Sequence, residues 1–121
     1  MSFSILICDD SALARKMVSR SLPSQFVNQI ECVCNGQEAI QKLTEGSFTL
    51  LILDLMMPTM NGIEVLETLN ERCIKVFVII VSGNIQPEMK SRVAKLGVLE
   101  FIEKPVDKIK LQNVLTRFGL Y

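Results

Sequence analysis

Five side chains in this sequence could do chemistry together if the fold assembled them. Asp9 and Asp10 close the run "ILICDDS", Asp54 interrupts "LLILDLMMP", Ser82 follows "VIIV", and Lys104 stands in "FIEKP". Each ends an apolar stretch, where a carboxylate or ammonium is costly unless its charge is compensated. Singly, each has an ordinary structural reading: "DDS" as a helix N-cap, "VSGN" as a turn, "EKP" as a solvated loop, and Asp54 as the first residue beyond a strand. Jointly they make a site of three carboxylates, a hydroxyl and an ammonium. Two like charges about 4 Å apart repel by roughly 4 kcal/mol at an effective dielectric near 20. A hard divalent cation answers that repulsion, and few carboxylates with retained waters suit Mg²⁺ better than Ca²⁺. Lys104 adds positive charge without a second metal. Such a set suits phosphoryl transfer, with Asp54 as the nucleophile that carries an acyl phosphate. No Gly-rich phosphate loop is present, so the expected donor is a small phosphoryl compound or another protein rather than a nucleotide.

The elements that must position these residues alternate in type. Strand-like runs occur at 3–8, 30–34, 48–53, 75–81 and 98–102, and the third and fourth are almost continuously apolar, as buried parallel strands are. Helical spacing fills the gaps. One face is Ala14, Met17, Val18 and Ser21, stopped by Pro23; the next is Ala39, Ile40 and Leu43, closed by Gly46. Ile63, Leu66 and Leu69 line a third helix, and Met89, Val93 and Leu96 a fourth between Pro87 and Gly97. Leu111, Val114, Leu115 and Phe118 line the last. Five βα units with right-handed crossovers predict an α/β doubly wound parallel sheet, and five strands fit the order 2-1-3-4-5. Ligands of such sheets gather at the carboxyl ends of the strands, near the switch point between the first and third. All five polar residues fall at that edge. The opposite loops, Gln25 to Asn28 and Gly46 with Ser47, hold no acid.

Composition narrows the function classes. The 121 residues suit one domain over 1–121, and 49% hydrophobic with 21% charged residues is globular composition. Thirteen basic residues balance thirteen acidic ones, which disfavours direct nucleic-acid or anionic-membrane binding. No apolar run approaches the roughly 18 residues of a membrane span, and the beginning "MSFSILICDD" does not read as a signal peptide. Cys8, Cys32 and Cys34 fall in runs expected to be buried strands, so these and Cys73 are read as structural thiols in a reducing cytoplasm. There is no histidine, which removes histidine-based triads, histidine-ligated metals and any phosphohistidine made by the chain itself.

With "ILICDDS", "LLILDLMMPTMNGIEVL", "VIIVSGN" and "FIEKP" in order, the chain resembles the receiver domain of two-component response regulators, particularly the single-domain chemotaxis type. The resemblance covers essentially the whole chain. It implies a flavodoxin-like fold with five helices and a phosphorylation-controlled switch, not an enzyme, that takes its phosphoryl group from a histidine kinase. It further implies Asp54 as phosphoacceptor, Asp10 as a direct Mg²⁺ ligand, Asp9 holding the ion through water, and the Met56 backbone carbonyl completing the protein ligands. Ser82 and Lys104 would hold phosphoryl oxygens, the Lys104–Pro105 bond would be cis, and Phe101 would be the switch aromatic. The signal would leave by the face of helix four, strand five and helix five, toward a downstream protein or effector domain, with a phosphatase as a possible further partner. Ser82 stands where threonine is commoner, Phe101 replaces a tyrosine, and Met56 stands where many relatives are polar. Two other classes compete. A Mg²⁺-dependent phosphohydrolase would normally place a second aspartate two residues after its nucleophile, where this chain has Met56. A module that is never phosphorylated would not need Asp10, Asp54, Ser82 and Lys104 together.

Overall fold

The computed structural model describes residues 3–83 and 86–121; Asn84, the end of the "VIIVSGN" motif, lies outside them. The strands are β1 (Ile5–Cys8), β2 (Ile30–Val33), β3 (Leu50–Leu53), β4 (Phe77–Ser82) and β5 (Glu100–Glu103). They alternate with α1 (Ala12–Ser21), α2 (Gly36–Glu45), α3 (Gly62–Glu71), α4 (Pro87–Lys95) and α5 (Lys108–Arg117), and a 3₁₀ turn (Ser24–Gln29) precedes β2. All pairings are parallel in the order β2-β1-β3-β4-β5. The doubly wound expectation is met. The strands are shorter than the apolar runs, because residues such as Phe3 and Phe48 pack at the ends without joining the ladder.

Period-two alternation explains how one sheet carries two cores. Leu6, Leu51, Leu53, Val78 and Ile80 face one side, against Ile40 and Leu43 of α2, Val65 and Leu66 of α3, and Val93 of α4. Ile5, Ile7, Leu50, Ile52, Ile79 and Val81 face the other, against Val18 of α1 and Leu111, Val114 and Leu115 of α5. β1 and β3 are therefore buried on both faces. Each fully buried aliphatic side chain contributes about 1.5–3 kcal/mol, so the sheet centre is the firmest part of the molecule.

The edges behave differently. Of the cysteines expected to be buried, only Cys8 is; Cys32 and Cys34 are exposed, because β2 is an edge strand that the helices cover incompletely. Phe118, placed on the apolar face of the last helix, is 42% exposed because α5 ends one residue earlier. Gly97 follows α4 at φ +89°, the left-handed turn that the helix end requires.

Gly62 opens α3 behind the Asn61–Glu64 capping box, and its amide donates to the Leu55 carbonyl at 3.1 Å. A Cβ there would lie 2.5 Å from the Asp54 carbonyl oxygen and 2.8 Å from Leu55 Cα. Only glycine lets α3 start this close to the chain leaving β3. Gly62→Ala is expected to lower stability by about 1–3 kcal/mol in urea unfolding. Gly46→Ala, whose Cβ would meet nothing closer than 3.5 Å, is expected to cost clearly less.

Candidate functional site

The register of three central strands brings the polar residues together. β1 ends at Cys8, β3 at Leu53 and β4 at Ser82, so the residues that follow β1 and β3 emerge side by side with Ser82 next to them. The Asp54 amide donates to the Cys8 carbonyl at 3.0 Å, and the Asp9 amide donates to Val33 at 3.2 Å, which carries the parallel ladder one residue into the site. Lys104 is fixed likewise, its amide donating to the Ser82 carbonyl at 2.9 Å.

Asp54 is buried as deeply as Asp9, each 3% exposed. Its Oδ1 accepts from Ser82 Oγ at 2.9 Å and from the Met56 amide at 3.2 Å. Its Oδ2 lies 3.4 Å from Lys104 Nζ. Lys104 also reaches Asp9 Oδ2 at 2.8 Å, so one ammonium bridges two buried carboxylates. Asp9 Oδ1 accepts from the Ser11 amide at 2.9 Å, and Ser11 in turn caps α1 by accepting from the Ala14 amide at 3.2 Å. The helix-cap reading of "DDS" holds for Ser11, while Asp9 and Asp10 turn toward Asp54. Asp10 is exposed, and one carboxylate oxygen each from Asp9, Asp10 and Asp54 lie within 4.8 Å of one another.

Three hard oxygen donors, two buried and the third exposed, fit a small divalent cation of the Mg²⁺ kind. Burial raises the Asp54 pKa above the usual carboxylate range, the Ser82 hydroxyl and Met56 amide oppose that rise, and the Asp9 charge adds to it while Lys104 reduces it. For Lys104 burial alone would lower the pKa, but the hydrogen bond to Asp9 and the charges of Asp54 and Asp9 prevail and hold it up. Cys8, next to Asp9, is pushed up to about 12, first by burial and then by the Asp9 and Asp54 charges. Burial keeps it a protonated thiol, with Sγ 3.6 Å from Met57 Sδ.

Asp9, Asp10, Asp54, Ser82 and Lys104 thus converge as expected. The Lys104–Pro105 bond is cis. Met56 presents its amide to Asp54, and its side chain is 52% exposed, a break in the apolar run that the sequence did not suggest. Phe101 is half-buried on β5, with Lys90 Nζ of α4 5.8 Å from its ring centroid. Sequence reasoning missed Arg15 and Gly62. Arg15 donates to the Asp9 carbonyl at 2.7 Å and looks in sequence like any exposed helical arginine. "NGIE" does signal a helix start, but nothing local reveals the close approach to Asp54.

A parallel sheet in this order carries an acidic cluster and one lysine at its switch point. The chain matches the response regulator receiver domain over residues 5–116 and belongs to that family. It acts as a phosphorylation-controlled switch of two-component signalling. A protein-glutamate methylesterase/protein-glutamine glutaminase of Treponema denticola is 38% identical over 104 residues, covering 84% of this chain and 28% of that protein. The signal transduction histidine-protein kinase BarA of Escherichia coli is 23% identical over 98% of this chain and 13% of its own length. Among solved structures, Vibrio cholerae chemotaxis protein CheY4 shares 27% identity at a TM-score of 0.83, covering 97% of this chain and 98% of that one. A response regulator receiver protein of Pseudomonas putida gives 27% and 0.84, covering 97% and 98%. The chain spans only 28% to 33% of the length of the methylesterases it matches.

The raised Asp54 pKa fixes a sign. Between the ordinary carboxylate value and the raised one, the folded chain binds more protons than the unfolded chain, so stability falls as pH rises through that window. Lys104, also raised, loses its contribution only above the ordinary lysine value and does not interfere. In metal-free buffer the urea midpoint of Asp54→Asn is expected to gain on the parent as pH rises from about 4 to 7. A gap that shrinks with pH would show Asp54 to be stabilising as the anion.

Proposed function

We propose that Asp54 is the phosphoacceptor of this switch, with the whole of 1–121 acting as one receiver domain. The single observation that carries the reading is the Asp54 environment: a buried carboxylate that shares one lysine with Asp9 and is held by Ser82. The Ser82 and Met56 hydrogen bonds fix Oδ1, which orients the carboxylate for in-line attack by a free oxygen lone pair. A histidine kinase is the donor: its P–N bond breaks as the Asp54 O–P bond forms, and the histidine nitrogen leaves. Lys104 and the Ser82 hydroxyl, both against the Asp54 carboxylate, would take up two of the phosphoryl oxygens. Asp9, Asp10, Asp54 and the Met56 backbone carbonyl would hold Mg²⁺, which neutralises charge on the phosphoryl oxygens when bound.

The chain is a switch and not a catalyst of turnover, because Met56 offers no acid or base at the position a phosphohydrolase would need. The output is a protein target or a linked effector domain reached through α4, β5 and α5, and a phosphatase would reset it. The likeness to the Vibrio cholerae chemotaxis protein CheY4 supports a chemotaxis pathway. No helix among the described residues is long and apolar enough to cross a membrane. The cytoplasm, where kinase and ATP meet, is where we place the chain.

Acetyl phosphate with Mg²⁺ is expected to add one phosphate to the intact protein by mass spectrometry, and none to Asp54→Asn. Undiminished labelling of the variant would sink the assignment.

Phe101 and Ser82 form the expected route outward. If the phosphoryl group draws the Ser82 hydroxyl away from Asp54, the ring gains room to move inward, and burying it favours the active form by about 1–2 kcal/mol. That shifts a two-state population about tenfold. Beryllofluoride with Mg²⁺ is expected to change the Phe101 ring signals in NMR, and to do so much less in Ser82→Ala. Equal responses would mean another route.

A further inference from the structure

We infer that Arg15 is a positioning residue for the acidic site, acting on Asp10 through the peptide that joins it to Asp9. This inference rests on the proposed Mg²⁺ role of that pair. Asp9 is held at four points: its amide by the Val33 carbonyl, its carboxylate by the Ser11 amide and by Lys104, and its carbonyl by Arg15 Nη1 at 2.7 Å. Asp10 has none of this. Its side chain is exposed, and among the described residues its carboxylate accepts no hydrogen bond.

The Asp9 carbonyl and the Asp10 amide belong to one planar peptide, so a bond to the first fixes the orientation of the second. β2 has ended at Val33, and among the described residues no backbone amide reaches that buried carbonyl. Arg15, in the first turns of α1, supplies the missing donor. Without it the peptide between the two carboxylates can rotate, and Asp10 leaves the 4.8 Å cluster more readily. Partners behind a metal ligand commonly set affinity by tenfold or more. The guanidinium charge acts in the opposite direction, since a cation near the carboxylates weakens Mg²⁺ binding, so the sign of the effect separates positioning from charge.

The test is a Mg²⁺ titration of the full chain stripped with EDTA, followed by ¹H–¹⁵N NMR, with urea unfolding in parallel. Arg15→Gln is expected to raise the Mg²⁺ dissociation constant about tenfold. Arg15→Lys, which keeps the charge and a shorter donor, is expected to fall between, and it carries the test if Arg15→Gln fails to fold. An unchanged or tighter dissociation constant, even with a lowered urea midpoint, would overturn the inference and leave Arg15 a structural bond only. A parent chain that shows no Mg²⁺-dependent shifts would instead overturn the metal reading on which the inference rests.

Discussion

Everything at the switch point depends on one ammonium shared between two buried carboxylates. Lys104 touches Asp9 at 2.8 Å and Asp54 at 3.4 Å, where both carboxylates are almost fully withdrawn from water. Two such anions side by side are unfavourable, and pairing one lysine with both removes much of the repulsion without neutralising the site. A net negative charge remains and the exposed Asp10 adds to it. The arrangement is stable enough to fold and charged enough to attract a cation and a group that brings one. Removing the lysine would leave two buried carboxylates without their shared counter-charge, the costly way to break such a pair.

The scaffold explains why this tension can be held. β1 and β3 are buried on both faces, so their ends cannot drift to relieve the carboxylates. Gly62 presses the start of α3 against the carbonyl of Asp54, and Arg15 holds the carbonyl of Asp9. Binding sites on firm elements keep their geometry at little cost when a ligand arrives. Burial is less complete at the periphery, where Phe101 of β5 lies half-buried beside Lys90 of α4. On the proposed reading, a phosphoryl group at Asp54 would compete for the Ser82 hydroxyl that now donates to the carboxylate, and the event would reach β4 directly and β5 through its neighbour.

The same fold serves proteins of very different size. The relatives include methylesterases and a sensor kinase several times longer than this chain, and chains of nearly equal length. What they share with it is the sheet.

The sequence by itself determined the alternation of strands and helices, the strand order and the edge at which the polar residues meet. These follow from period-two and period-3.6 burial, which each segment records in its own residues. It also named Asp9, Asp10, Asp54, Ser82 and Lys104, because a charge or a hydroxyl ending an apolar run is conspicuous in one dimension. Only the tertiary structure decided that Lys104 bridges Asp9 and Asp54, that Arg15 rather than a strand amide completes Asp9, and that Gly62 has no room for a methyl group. It also decided that Cys32, Cys34 and the Met56 side chain face outward. Periodicity reports burial relative to an element's own axis. Which element ends beside which, and which strand is left at an edge, depends on registers set by residues far apart in the chain.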